Sequence, residues 1–275
     1  MPGRGARLPA GTADRRSDPP DRRLRRVLAA KPVTAVPAEA VTVHPLNEQS
    51  RKILETGEAA VFGLSPFNGF YRPSTVGTLL AWAAGRFQHV EAVLPGYETA
   101  FGLIAGGRAP REAVQTATRV VRRMRATARR ALDASGPNPH DRVNSWTRLI
   151  TRRRYRELRA EVDGVFHSDG RLRELCRETS RGYLRTVLGT EPTPAQTELN
   201  LGYVLAEIPL ILDMPGIVGT RTAVLLYNRP WPLQLALWNG EVPALAPAQG
   251  HGFATVALAA EPAAPPNADR SGAQQ

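Results

Sequence analysis

A single cysteine, Cys176, stands in the 275 residues. That excludes an intramolecular disulfide and any metal centre built on thiolates, and a lone residue of this kind is a small neutral side chain rather than a nucleophile. Lysine is nearly as scarce, with only Lys31 and Lys52, so the positive charge is almost all arginine. There is no long apolar run. The most apolar stretch, YVLAEIPLILDMPGIVG, is interrupted by Glu207, Pro209, Asp213 and Pro215, which leaves nothing like the roughly 20 apolar residues of a membrane span. No apolar segment of signal-peptide length follows the N-terminal arginines either. These absences predict a soluble, cytoplasmic protein that does not engage a membrane.

What is present is an uneven charge. The formal net charge is +11, yet residues 108–185 alone hold 20 Arg against 9 Asp and Glu, and residues 1–32 hold 9 basic against 3 acidic residues. The remainder is net acidic. Residues 1–40, with Arg4, Arg7, Arg15, Arg16, Arg22, Arg23, Arg25 and Arg26 among Pro, Ala, Gly and Asp, read as a disordered basic leader. The Pro- and Ala-rich residues 260–275 read as a disordered tail. Between them, residues 41–259 are enough for one substantial core, and one globular domain is expected, acting as a monomer.

The pattern inside that domain is α/β. AAVFGL at 59–64 is a short buried strand, Ser74 is placed to cap an amphipathic helix running to about Phe87, and HVEAVLP at 89–95 is a second buried strand. Strand, helix and strand at this spacing form a βαβ unit, hence a mostly parallel sheet with helices on both faces. A short helix over 97–107 follows, then a long one from Pro110 to about Ser135. At 100° per residue, Arg111, Arg119, Arg122, Arg123, Arg125, Arg129 and Arg130 share one arc of that helix. Val114, Ala117, Val120, Val121, Met124, Ala128 and Leu132 share the opposite one. Helices over about 147–166, 169–188 and 194–213, a strand at 221–227, a short helix in PWPLQLALW and a last strand in GFATVAL complete the reading.

Two stretches carry candidate chemistry. In VFGLSPFNGFY, Ser65 falls at the carboxyl end of the first strand, where a doubly wound sheet puts its reactive crevice. Taken alone, a Ser-Pro pair more often just turns the chain. A hydrolase elbow would read Gly-x-Ser-x-Gly, but Phe67 holds the second glycine position, and His44, His89, His140, His167 and His251 form no triad recognisable in sequence. In GYVLAEIP, Tyr203 and Glu207 are four apart and project from one face of a helix. A carboxylate among Val204, Leu205, Ile208, Leu210 and Ile211 is costly to bury without a partner. An ammonium group would supply one; a solvated Glu at a helix edge is the plainer alternative.

Together these stretches resemble the cyclodipeptide synthase family. The resemblance rests on Val61-Phe62-Gly63-Leu64-Ser65, on Tyr203-Val204-Leu205-Ala206-Glu207-Ile208-Pro209, on Ser65-Pro66-Phe67-Asn68, and on Leu226-Tyr227-Asn228-Arg229-Pro230-Trp231. It extends over roughly residues 59–255. Ala59 stands where the family often has His, and Asn228 where its major subgroup has His. The resemblance implies a Rossmann-like domain akin to class I aminoacyl-tRNA synthetases. It also implies a reaction on amino acids already esterified to tRNA, two aminoacyl-tRNAs per cycle, with no cofactor and no metal. Neither a His-x-Gly-His nor a Lys-Met-Ser-Lys-Ser signature for ATP is present. By the same resemblance Ser65 is the nucleophile, and Tyr203 and Glu207 hold the α-ammonium, with Glu207 also taking up a proton. Tyr227 relays a proton, and Asn68 orients the reacting groups. Val61, Gly63, Leu210 and Leu225 line the pocket for the first, hydrophobic amino acid, with Asn228 a cyclisation-side contact. The arginine face, with Arg119, Arg122, Arg123, Arg129 and Arg130, is then a surface for tRNA phosphates.

Two rivals stand beside this reading. A non-catalytic tRNA- or RNA-binding protein would use the same basic face, but gives no reason for Ser65, Tyr203, Glu207 and Tyr227 to occur together. A serine esterase or amidase would need a histidine within reach of Ser65.

Overall fold

The computed structural model describes residues 37–136, 138 and 142–259. The leader as far as residue 36, the tail 260–275 and His140 lie outside the described residues. A single 3-10 turn, Ala38–Ala40, leads into strand β1 (Val41–Pro45). Helix α1 (Glu48–Thr56) follows, its first turn capped by Asn47, whose side chain accepts from Ser50 N at 2.8 Å. Gly57, at φ 63°, ends it in the left-handed conformation that glycine adopts without penalty. The chain then enters β2 (Ala59–Gly63), α2 (Pro73–Ala84) and β3 (His89–Leu94). This is the expected βαβ unit, with α2 starting at Pro73 rather than after a Ser74 cap, because proline suits the first helical position.

Beyond a 3-10 turn at Tyr97–Thr99 come α3 (Ala100–Ala105), the long α4 (Pro110–Ala134), β4 (Arg142–Ser145) and α5 (Trp146–Leu149). Next are α6 (Arg153–Ser168), α7 (Gly170–Leu188), α8 (Pro194–Leu199), α9 (Leu201–Leu212) and α10 (Met214–Val218). The chain closes with β5 (Ala223–Tyr227), α11 (Pro232–Trp238) and β6 (His251–Leu258). The six strands lie in the order β1-β6-β5-β2-β3-β4, all parallel except β1, which runs antiparallel to β6.

Strand alternation sorts the core into two layers. Ala60 and Phe62 of β2, and Leu64 just past its end, pack with Val76, Leu79, Leu80 and Ala83 of α2 and with Ala128 and Leu132 of α4. Ala59 and Val61 face the other way, among Tyr203, Val204, Leu210 and Ile211 of α9 and residues of α6, α7 and α11. The sheet is therefore a Rossmann-like layer with helices on both faces. The period of two carries straight into function: Gly63 and Ser65 continue the Ala59–Val61 face, so Ser65 emerges on the side of the sheet covered by α9.

Three expectations change. The helix expected over about 147–166 is two helices, α5 and α6, parted at 150–152. The helix expected over 194–213 is two helices that break at Asn200. There the buried Asn200 side chain donates to Ser180 Oγ at 3.2 Å, and Ser180 Oγ donates to Thr197 O at 2.8 Å. On α4, Val114 is 43 % exposed and lies outside the core stripe, which runs through Ala113, Ala117, Ala128 and Leu132.

Candidate active site

Chain order places the site. From β2 the chain moves outward through β3 and β4, then returns to the other side of β2 with β5 and β6. The reversal point lies between β2 and β5, and the crevice outside their carboxyl ends is where such sheets bind ligands. Ser65 follows β2 and Tyr227 ends β5, so the two residues flank that crevice.

The local sequence holds Ser65 there. Leu64 N donates to Val93 O at 2.9 Å, which extends the ladder one residue past β2. Ser65-Pro66-Phe67-Asn68 then closes a turn through Asn68 N to Ser65 O at 3.2 Å, with proline at the position its fixed φ favours. A second turn, Tyr71 N to Asn68 O at 3.1 Å, is reinforced by the Asn68 side chain, whose Oδ1 accepts from Phe70 N at 3.0 Å. The other end of that amide reaches across the crevice, since Asn68 Nδ2 donates to Asn228 Oδ1 at 3.1 Å. Asn228 N in turn donates to the Tyr71 hydroxyl at 3.2 Å. The segments after β2 and β5 are thus tied together by two hydrogen bonds.

A pocket of about 390 Å³, counting its opening, is lined by Gly63, Ser65, Val93, Trp146, Tyr203, Glu207, Leu210, Met214, Leu225 and Tyr227, among others. Of the residues expected to line it, Gly63, Leu210 and Leu225 do. Val61 does not: it is fully buried one layer below, in the core with Tyr203 and Leu210. Gly63 has a steric reason to be glycine, because a Cβ there would sit 3.2 Å from Tyr227 Cδ2. A second, wider pocket of about 1100 Å³ shares Ser65 and Tyr227 with the first. Asn68, Tyr183, Asn228, Arg229 and Trp231 also line it. Ser65 therefore stands at the mouth of both.

Electrostatics single out Glu207. The residue keeps part of its surface toward the pocket, but Oε2 is sealed from solvent and has no hydrogen-bond partner. Burial raises its carboxyl well above the usual range. An unpaired carboxyl in an apolar wall is expensive, and it is the chemistry that recognises a cation. Tyr203, 3 % exposed, is driven up by burial and then by the charge of Glu207 one helical turn away. Burial and then Glu207 push the Tyr227 phenol up to about 12, while hydrogen bonds joining it to Ser65 and Asn68 pull the other way. Both phenols stay protonated and serve as donors. The helix beneath them is anchored by Tyr155 of α6, whose hydroxyl donates to Ala206 O at 2.8 Å.

Neither pocket is lined by a histidine, so among the described residues that line them none is the histidine that an esterase pairs with its serine. Nor is any group of three or more His, Cys, Asp or Glu gathered as a metal centre requires among those residues. No described helix is long and apolar enough to cross a membrane. Sequence reasoning missed Tyr71, Tyr183, Trp146 and Met214, which come from a turn and from helices whose periodicity marks them only as core.

The two arginine-rich regions differ in kind. On α6 and α7, Arg153, Arg154, Arg159, Arg171, Arg177, Arg181 and Arg185 all lie within ion-pair distance of carboxylates. On α4, Arg119, Arg122, Arg123, Arg129 and Arg130 are exposed, and no ion pair among the described residues involves them. Arg130 reaches only Thr127 Oγ1, at 3.3 Å.

Comparison with known proteins agrees with this geometry. The family model for cyclodipeptide synthase matches residues 41–257. The chain is 32 % identical over 219 residues to the cyclo(L-leucyl-L-leucyl) synthase of Bacillus subtilis, covering 76 % of this chain and 88 % of that protein. A cyclodipeptide synthase from Bacillus thermoamylovorans superposes with a TM-score of 0.77 at 25 % identity, over 81 % of this chain and 98 % of that one. A Mycobacterium tuberculosis protein, whose structure relates cyclodipeptide synthetases to type I tRNA synthetases, superposes with a TM-score of 0.73 at 27 % identity, over 84 % and 99 %. A Rossmann-like sheet with a serine and a tyrosine at its switch point, matched from β1 to β6 by one family model, thus makes this chain an enzyme of the cyclodipeptide synthase family.

Proposed function

We propose that the chain takes two aminoacyl groups from aminoacyl-tRNA and joins them as a cyclic dipeptide through intermediates esterified to Ser65. The observation that carries this reading is the unpartnered Glu207 Oε2 in the wall of the pocket that Ser65 opens into. An aminoacyl ester on Ser65 would bring an α-ammonium to that carboxyl.

In the first step Ser65 Oγ attacks the ester carbonyl carbon of the first aminoacyl-tRNA, and the bond to the ribose oxygen breaks. The proton from Ser65 leaves with the tRNA on its terminal ribose, so no histidine is required. The aminoacyl side chain then lies in the deep pocket, against Gly63, Leu210 and Leu225. Tyr203 and Glu207 hold its ammonium, and Glu207, with its raised pKa, accepts the proton that frees the amine. That amine attacks the ester carbonyl of the second aminoacyl-tRNA, the bond to its ribose oxygen breaks, and the second tRNA leaves with its ribose hydroxyl protonated, so that a dipeptidyl-enzyme remains. The new terminal amine finally attacks the Ser65 ester, and Tyr227, which lines both pockets with Ser65, returns a proton to Oγ as the ring closes. Asn68 and Asn228 hold the two catalytic segments in register.

The deep pocket is walled by apolar side chains, which supports a hydrophobic first residue, in line with the leucyl product named for the Bacillus subtilis relative. The unpaired arginines of α4 support that helix as the seat of the tRNA phosphates; seven of those on α6 and α7 already face carboxylates. Because its substrate is charged tRNA, the enzyme acts in the cytoplasm. Mass spectrometry of medium from a host expressing the chain tests the reading: a diketopiperazine absent from the Ser65→Ala control is expected, and its absence from the wild-type culture would sink it.

A further inference from the structure

Three rings form one stack through the site. Tyr203 lies between Trp146, at 5.1 Å and 33°, and Tyr183, at 5.1 Å and 13°. Trp146 and Tyr203 line the deep pocket, whereas Tyr183 lines the wider one. The contact between Tyr203 and Tyr183 therefore joins a residue of one pocket to a residue of the other. Behind Tyr183 stands Gly102 of α3, where a Cβ would approach Tyr183 Cε1 to 2.8 Å and its hydroxyl to 3.1 Å. The Tyr183 ring thus stacks on Tyr203 and lies so close to Gly102 that only a residue without a Cβ leaves room for it. Burial, then the nearby Tyr227 and Glu207, raise its phenol, so it remains neutral.

We propose that Tyr183 is a positioning residue for the second aminoacyl transfer. Its ring, packed against Gly102 and Tyr203, fixes the Tyr203 phenol beside Glu207 and keeps the serine-bound aminoacyl group in the deep pocket while the second substrate occupies the wider one. Stacking at 13° adds a specific ring-to-ring contact to the apolar packing around Tyr203. The first transfer, an attack by Ser65 on an ester, does not depend on the ammonium being held; the second does, because the amine must be deprotonated and aimed. This inference rests on the aminoacyl-transfer reading of the site.

The test compares wild type with Tyr183→Phe, Tyr183→Leu and Gly102→Ala, each supplied with total tRNA charged with the standard amino acids. Intact-protein mass after rapid quench reads the aminoacyl-enzyme, and steady-state kinetics read kcat and KM for cyclic dipeptide. Tyr183→Leu and Gly102→Ala should form the aminoacyl-enzyme at the wild-type level per folded protein. They should then accumulate it, with kcat lowered roughly ten- to a hundred-fold, as ångström-scale misplacement of a reacting group does. Tyr183→Phe, which keeps the stack, should stay close to wild type. Wild-type turnover in Tyr183→Leu would overturn the proposal. So would adduct and turnover falling in one proportion with the folded fraction in both Tyr183→Leu and Gly102→Ala, the outcome for a ring that merely packs. If wild type itself forms neither adduct nor product, the reading of the site fails and takes this inference with it.

Discussion

Replacing Glu207 by Gln should stabilise the fold while stopping the reaction, and the two effects come from one feature. The Glu207 carboxyl is raised by burial, with Oε2 unpartnered. A group whose folded pKa lies above its unfolded value costs nothing extra while both states are protonated. Its burial then reduces stability progressively as pH rises, because the unfolded chain releases a proton that the folded one keeps. A buried unsatisfied group costs about 1–3 kcal/mol, more when charged. Glu207 keeps some surface toward the pocket, where water screens it, so the lower end, about 1 kcal/mol, is the appropriate figure. For a domain of this size that corresponds to a rise of about 2–4 °C in melting temperature. The difference between Glu207→Gln and wild type should be near zero at about pH 4.5 and grow toward about pH 8, measured by thermal denaturation in matched buffers. Other titrating groups contribute equally to both proteins and cancel in the difference. A variant no more stable than wild type at the alkaline end, or a difference that does not change with pH, would refute the reasoning. In the same variant the cyclic dipeptide should be lost more completely than in Tyr203→Phe.

Other outcomes follow from the same geometry. Gly63→Ala puts a Cβ 3.2 Å from the Tyr227 ring, so kcat should fall about ten-fold or more with little change in melting temperature, checked by steady-state product formation. Replacing Arg119, Arg122, Arg123 and Arg130 together with Ala should weaken use of every aminoacyl-tRNA alike. It should also flatten the salt dependence of binding by about one unit of slope for each phosphate left without its arginine; an unchanged slope would move the tRNA surface off α4. His251, fully buried against Trp238 at 5.5 Å, is pushed by burial from 6.5 down to about 4. Its neutral form is the one the fold accepts, so its contribution is complete above pH 6.5 and lost as pH falls toward 4, a matter of about 3 kcal/mol. Wild type should therefore lose stability across that window more steeply than His251→Gln, as denaturant melts at successive pH values would read.

The βαβ unit was legible because Ala59–Gly63 and His89–Leu94 are buried runs bracketed by Gly and turn residues, and α4 because its arginines and alanines keep the helical period. The edge strands were not. Val41–Pro45 is half exposed and ends in proline, and Arg142–Ser145 is four residues of mixed polarity, so neither carries a hydrophobic signal. Their strand character comes from pairing with β6 and β3. The break at Asn200 was hidden because it depends on a hydrogen bond to Ser180, which only the fold brings near. At the site, Ser65, Tyr203 and Glu207 stand in the sequence beside plainer alternatives, and only the resemblance to the cyclodipeptide synthases singles them out together with Asn68 and Tyr227. Tyr183 was not, since a tyrosine on an arginine-rich amphipathic helix looks like core, and its stacking on Tyr203 is a tertiary fact. The arginines of α6 and α7 look equivalent to those of α4 until their carboxylate partners are located.

Whether Ser65 carries the aminoacyl group is read by intact-protein mass spectrometry after rapid mixing with aminoacyl-tRNA, followed by peptide mapping. A mass increase of one aminoacyl residue is expected on the peptide containing Ser65, larger in population in Glu207→Gln than in wild type, and absent from a folded Ser65→Ala. A cyclic dipeptide made by Ser65→Ala, or an adduct mapped to another side chain, would contradict it.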